Sequence, residues 1–300
     1  MADSYNFSTA AYRRKIMIHS TIRCIVCILI TIICILPLFL ILINSTRSSN
    51  EIIKNGVAFI PGTSFVDNLK NLVDPEYANG VYYRTFDLWT GYRNSLIIAG
   101  STTILSVFFS AMTAYGLTVY DFKGKKFATT FILLVMMVPT QVVSTGFLEF
   151  MASINLLNNY LPLILPAIAA PATVFFMLQY MKSSFPLDIV EAARIDGCSE
   201  FRTFMQISLP IFKPAFAVQA IFAFVANWNN YYTPSMILVN GDRSMRTMPM
   251  MVGGIMGLST TVDYGVQNLA VILSIVPIVV VYLALSKFIV KGVALGAVKG

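Results

Sequence analysis

Residues 191–210 read EAARIDGCSEFRTFMQISLP, a charged, amphipathic run with long apolar blocks on both sides. Its chemistry is that of two short helices joined by a bend. Ser183-Ser184-Phe185-Pro186 opens it: proline suits the first turn of a helix, and a preceding serine can cap it. Leu187, Val190 and Ala193 recur at helical spacing. Gly197 stands where a helix ends on a left-handed residue. Ser199 is placed to cap a second helix, with Glu200 at that helix's positive end. Phe201, Phe204, Met205 and Ser208 make its less polar face, and Pro210 stops it. Asp196 opposes the dipole at the end of the first helix but lies just ahead of the second. Its carboxylate is therefore expected to accept free N–H groups there and to fix the angle between the two helices. Glu191 and Arg194, three residues apart, can pair across one turn. Ala192 and Ala193 are small enough to let a helix approach a groove closely.

The flanking blocks set the fold class. The chain has 300 residues, 57% hydrophobic and 12% charged, with mean hydropathy +0.73. A soluble domain carries about twice that charge. Apolar blocks at roughly 22–43, 94–119, 127–150, 160–181, 213–239 and 268–290 each reach the length needed to span a bilayer. The expectation is an all-α polytopic membrane protein with six transmembrane helices. Pro162, Pro166 and Pro171 predict a kinked or interrupted fourth span. The first block has no charge from Cys24 to Ile43 and no small-residue cleavage site after it, so it reads as a retained span.

The net charge of +7 does not form a nucleic-acid patch, because the basic residues lie between the apolar blocks. With the N-terminus inside, 14 of the 21 lysines and arginines fall on inner segments and 7 on outer ones, as the positive-inside rule requires. That orientation puts both termini and residues 191–210 on the cytoplasmic side. It divides the chain into a cytoplasmic N-terminus (1–21), a first span (22–43), an external loop (44–92), a membrane core (93–290) and a cytoplasmic tail (291–300). The core includes an inner loop (182–212) and an external loop (240–267). Pro61, Gly62, Asp74 and Pro75 mark turns in the first external loop, and Gly253, Gly254 and Gly257 make the second a flexible apolar one.

Several chemistries are excluded. No G-x-x-x-x-G-K-[ST] occurs, so the chain lacks the usual phosphate loop for ATP. The single histidine, His19, allows neither a Ser/His/Asp set nor a Cys/His pair. Cys24 and Cys27 form a C-x-x-C without a second ligand pair and, with Cys34, read as packing cysteines. No metal site or cofactor is expected. Glu149 is the one acid near the interior of a span, read either as a helix-end acid or as a pathway residue. Asn227-Trp228-Asn229-Asn230-Tyr231-Tyr232 lies in the fifth block. Amides and aromatic faces suit a carbohydrate path, while Trp and Tyr also form interfacial belts and Asn also bridges helices.

The spacing Glu191-Ala192-Ala193, three residues, Gly197, nine residues, Ile207-x-Leu209-Pro210 resembles the full EAA loop of bacterial ABC importer permeases. Asn94-Ser95-Leu96-Ile97-Ile98-Ala99, Phe122-Lys123-Gly124-Lys125-Lys126, Met136-Met137-Val138-Pro139 and the ending Gly292 to Gly300 resemble the sugar-importer permeases similar to the smaller membrane subunit of the maltose transporter. The resemblance implies a type I importer core of the MetI-like kind in the bacterial cytoplasmic membrane. It implies no catalysis by this chain. It implies pairing with a second permease, two ATPase subunits and an exported substrate-binding protein, with a sugar as cargo. Glu191, Ala192, Ala193, Arg194, Asp196, Gly197, Ile207, Leu209 and Pro210 are then the ATPase-coupling residues, with Glu191 meeting a basic residue of the ATPase. Asn227, Trp228, Asn229 and Tyr231 become candidates for the substrate path, and Gly253, Gly254 and Gly257, in the stretch that runs to Thr260, for contact with the binding protein. The tail reaches toward the ATPases or frays. An ion-coupled carrier is the rival, opposed by the scarcity of acids and bases in the spans, and a non-sugar cargo stays open.

Overall fold

Small residues decide the packing. Ser95, Ala99, Thr102, Ser106, Ser110 and Ala114 recur at three- and four-residue steps along the second apolar block. Small side chains at that spacing let helix backbones approach closely inside a membrane. A computed structural model of the chain describes residues 2–74, 76, 82, 84–240, 242–257 and 262–297. All six small residues are buried along one helix, Leu88–Val119. The buried Thr102 hydroxyl is satisfied within the helix, Oγ1 donating to the Ile98 carbonyl at 2.8 Å. This central helix packs against helices Pro171–Ser184 and Lys213–Trp228. It begins six residues ahead of the expected 94, because Asp87 caps it, Oδ1 accepting from the Thr90 N–H at 3.1 Å.

The described residues are helical without a strand, as the all-α reading requires. They form two compact units, residues 1–71 with 260–272 and residues 72–259 with 273–300. In the first, helix Ala2–Asn44 carries the apolar run Lys15–Asn44, whose most apolar 18-residue window has mean hydropathy 3.3 and is nowhere buried within the chain. Cys24, Cys27 and Cys34 are exposed on it, not packed as expected. The segment after it, read as polar turns, holds two helices, Ser49–Asn55 and Phe65–Val73. Ser48 and Glu51 close a capping box on the first of these, which the S-x-x-E spacing could have revealed. The Arg47 guanidinium is buried and donates to the Gly56 carbonyl at 3.0 Å. Asn68 Nδ2 donates to the Ser45 and Arg47 carbonyls at 2.8 and 3.0 Å.

In the second unit the spans are broken. The expected third span is two helices, Lys125–Met136 and Thr140–Ser153. Pro139 supplies no N–H and disfavours helix at Val138, which ends the first. The proline-rich fourth block is interrupted as expected: helix Leu161–Ile164, a 3₁₀ turn Leu165–Ile168, then helix Pro171–Ser184. The fifth helix stops at Trp228 instead of near 239, and a short helix Tyr232–Ile237 follows. Among the described residues four runs are long and apolar enough to cross a bilayer: Lys15–Asn44, Leu88–Val119, Leu161–Ser184 and Tyr264–Phe288. A fifth arises if Glu200–Ile211 and Lys213–Trp228, bent by 81°, act as one. Six continuous spans are therefore not what the helices give. The last helix runs from Tyr264 to Ala297 without a break at Lys291. Pro75, Ser259, Thr260, Val298, Lys299 and Gly300 lie outside the described residues.

Candidate functional site

The hairpin at 191–210 is two helices and a bend, held by other means than the capping expected of it. Its first helix is Asp188–Ile195. Ser183 and Ser184 do not cap it; the Ser183 hydroxyl donates back to the Tyr180 carbonyl at 3.0 Å. Gly197 ends it at φ +74°. The Gly197 N–H donates to the Arg194 carbonyl at 3.0 Å and the Cys198 N–H to the Ala193 carbonyl at 2.9 Å, the paired closure of a left-handed helix end. Ser199 makes no side-chain cap on the second helix.

The Asp196 carboxylate is exposed and does not cap that helix. The longer Arg194 side chain reaches across the bend instead, Nε to Glu200 Oε1 at 2.7 Å and Nη2 to Oε2 at 3.3 Å. Arg194 therefore pairs with Glu200 and not with Glu191. The Tyr120 hydroxyl donates to Glu200 Oε2 at 2.6 Å, and the Arg194 guanidinium lies 5.7 Å over the Tyr120 ring. The hydrogen bonds from Arg194 and then Tyr120 hold the Glu200 carboxyl below the usual carboxylate range. Burial, and then Glu200, push the Tyr120 phenol up to about 12, so it stays a donor.

The second helix is Glu200–Thr203, a π turn Phe204–Ser208 and a last turn Leu209–Ile211. The buried face is Thr203, Phe204 and Ser208 in place of the expected set. Phe201 and Met205 point outward. Val190 and Phe204 join an apolar cluster with Tyr115, Phe185 and Phe212. Of the candidate coupling residues, Glu191, Ala192, Arg194, Asp196, Gly197 and Pro210 are exposed, Ile207 and Leu209 are half-buried, and Ala193 is buried. What the motif did not single out is the apolar tip: Ile195 is 86% exposed and Phe201 64%.

A cavity of about 820 Å³ lies beside the central helix. Ile98 and Ser106 of that helix line it, with Val138 and Ser144 at the break in the third block, the proline-rich stretch 162–173, and Asn227, Asn230 and Thr233. The helix breaks make this space. Its size is that of an ordinary small-molecule site, and its lining offers amides and hydroxyls without a charged side chain among the described residues. Asn227 faces it while donating to the Ala223 carbonyl at 2.8 Å. Trp228 does not: it is 1% exposed, stacks on Phe224 at 5.5 Å and donates Nε1 to the Ser274 carbonyl at 2.9 Å. Asn229 and Tyr231 are exposed outside the lining. Asn230, part of the amide-rich run but not among the candidates drawn from it, belongs to it. Glu149 is exposed on its helix, also outside the lining.

The glycine-rich loop is not a flexible loop. Gly253 and Gly254 lie inside helix Met248–Met256, with Gly257 at its end. Their role is close approach: a Cβ on Gly253 would sit 2.8 Å from the Tyr231 ring and one on Gly254 2.7 Å from the Thr85 methyl. Asn94 and Ser95 hold the approach to this helix. Asn94 Nδ2 donates to the Ser244 and Arg246 carbonyls at 2.7 and 2.9 Å, and the Met248 N–H donates to Ser95 Oγ at 2.7 Å.

Comparison with known proteins agrees with this architecture. Residues 106–295 match the family model of the binding-protein-dependent transport system inner membrane component. The arabinooligosaccharides transport system permease protein AraQ of Halalkalibacterium halodurans is 34% identical over 278 residues, covering 90% of this chain and 93% of that protein. The lactose transport system permease protein LacG of Rhizobium radiobacter is 29% identical, covering 88% and 91%. A crystal structure of a bacterial ABC transporter involved in the import of the acidic polysaccharide alginate contains a chain of the same fold. Its TM-score is 0.69 at 20% identity, covering 90% of this chain and 96% of that one. With more than half its length inside the family match, and with the hairpin and all the named cavity lining but Ile98 within it, the chain belongs to the inner membrane components of binding-protein-dependent transport systems, the permeases of bacterial ABC importers.

Proposed function

We propose that this chain is one half of the membrane pathway of an ATP-driven importer of sugars or oligosaccharides, coupled through residues 191–210 to a cytoplasmic ATPase. A second, similar permease completes the pathway, two ATPase subunits bind the hairpins, and an exported binding protein delivers the cargo. Both termini and the hairpin are cytoplasmic in this reading, supported by the lysine and arginine distribution. The broken third block and the fifth helix with its continuation complete six crossings. ATP binding closes the ATPases, the hairpins move with them, and the pathway opens outward. This chain supplies displacement and passage; the covalent chemistry belongs to the ATPase.

The observation that carries the reading is the hairpin tip. Ile195 and Phe201 are large, apolar and exposed on the two sides of a closed bend. A soluble loop gains nothing by presenting them to water; a partner's cleft gains their burial. Support for a sugar comes from the names of AraQ and LacG and from the uncharged amides and hydroxyls of the cavity. Gly253 and Gly254 then seat the helix at 248–256 against Tyr231 and Thr85, and its exposed end at Gly257 is the part offered to the binding protein.

The test is uptake of labelled arabino-oligosaccharides by a strain lacking this gene, complemented with the native or the Ile195→Asp chain. The native chain restores uptake and Ile195→Asp does not, while its level in the membrane is unchanged. Normal uptake in the deletion strain would remove the sugar assignment, and full function of Ile195→Asp would remove the docking assignment.

A further inference from the structure

The hairpin is tied to the central helix by a small polar cluster that the motif does not contain. Tyr120 is the residue that ends helix Leu88–Val119, its N–H donating to the Gly116 carbonyl at 3.3 Å. Lys125 Nζ holds the Tyr120 carbonyl at 2.9 Å, just past the left-handed turn at Gly124. The Tyr120 hydroxyl meets one oxygen of Glu200 and Arg194 meets both. The guanidinium in turn covers the Tyr120 ring. All three side chains therefore touch one another. One belongs to the helix before the bend, one to the helix after it, and one closes the helix whose middle lines the cavity.

We propose that Tyr120, Glu200 and Arg194 are positioning residues that pass the motion of the hairpin to the central helix. The proposal rests on the coupling reading above. Apolar contact beneath the hairpin resists separation but tolerates sliding, because dispersion has little directionality. Charge-assisted hydrogen bonds, bidentate from the guanidinium, fix an angle and a register. Magnitude separates this role from a stabilising one. The Arg194 and Glu200 side chains are 40% and 45% exposed, and exposed ion pairs add little to stability. A cluster that merely stabilised the fold would thus be removable almost without consequence. One that transmits displacement would be removable from the fold but not from the transport cycle.

The experiment uses the complete transporter, permeases and ATPases together, in proteoliposomes with its binding protein. It measures ATP hydrolysed per molecule of the sugar found to be imported in the uptake test. Tyr120→Phe and Glu200→Gln are expected to keep the ATPase bound and the complex's melting temperature unchanged. ATP consumed per sugar is expected to rise at least about fivefold, the lower end of ordinary coupling between two sites. The exchange Arg194→Glu with Glu200→Arg, which restores the ion pair, is expected to recover part of the loss that Glu200→Gln causes. Unchanged stoichiometry in both single variants would overturn the proposal. So would a loss that follows release of the ATPase or a lowered melting temperature. Ile195→Asp separates the two layers. If it leaves the ATPase bound, the docking reading falls. If it releases the ATPase while Tyr120→Phe and Glu200→Gln transport normally, only the joint falls.

Discussion

The two ends of the stretch from Glu191 to Thr233 use their large side chains in opposite ways. At the hairpin, Ile195 and Phe201 stand in the open while polar side chains hold the bend. At the cavity, the most conspicuous aromatic, Trp228, is sealed among Tyr92, Phe224 and the backbone of Ser274, while the modest amides of Asn227 and Asn230 face the empty space. The contrast teaches that residue type alone misleads about exposure. A tryptophan in a sequence that suits sugars is here a packing anchor, because its indole N–H finds a carbonyl and its rings find partners. An isoleucine in a charged loop is one of the most exposed large side chains of the chain, the surface proposed to dock.

Substitutions at the two ends should separate in what they damage. Trp228→Ala is expected to give the largest change, about 3–5 kcal/mol of stability, seen as a lowered melting temperature with the ATPase still bound to what remains folded. Ile195→Asp should show the reverse, an unshifted melting temperature with the ATPase lost. If both variants lose the same property, the contrast between anchor and docking surface is wrong. Gly197→Ala sharpens it within the hairpin. A Cβ at φ +74° has open space around it but a disfavoured backbone, so about 1 kcal/mol is expected. Asp196→Asn comes last. Its carboxylate does not cap the second helix, so stability should change by less than about 0.5 kcal/mol, and normal assembly and transport are expected. A large loss there would restore the capping role that the Arg194–Glu200 pair now fills.

The hairpin was legible where backbone chemistry dictates it. Gly197 at a helix end, Glu200 at the start of the next helix and Pro210 near its close are local signals, and each stands where it was read. The length of the apolar blocks announced a membrane protein in the same way. Side-chain choices across the bend were not legible, since Arg194 has Glu191 and Glu200 both within reach and only the geometry selects. Tyr120 was beyond sequence reasoning for a different reason: eighty residues separate it from Glu200. The cavity was half visible. Prolines 162, 166 and 171 predict one of its broken walls, but Pro139 sits in a motif inside a continuous apolar block, and hydropathy alone gives a single third span there. Glycines 253 and 254 show how one residue type carries two meanings. Flexibility and close approach look alike in a sequence, and the neighbouring Tyr231 and Thr85 side chains decide for the second.

The π turn at Phe204–Ser208 has a mechanical consequence. It winds one residue more than the same length of α-helix needs, and one residue is about 100° of rotation for whatever follows. The segment between the knob and the fifth helix thus stores one tooth of a ratchet. Moving that tooth along the winding would twist the knob about its own axis while the chain kept its length. A lever that swivels in this manner needs no slack in the connection, which suits the docked part that the coupling proposal requires.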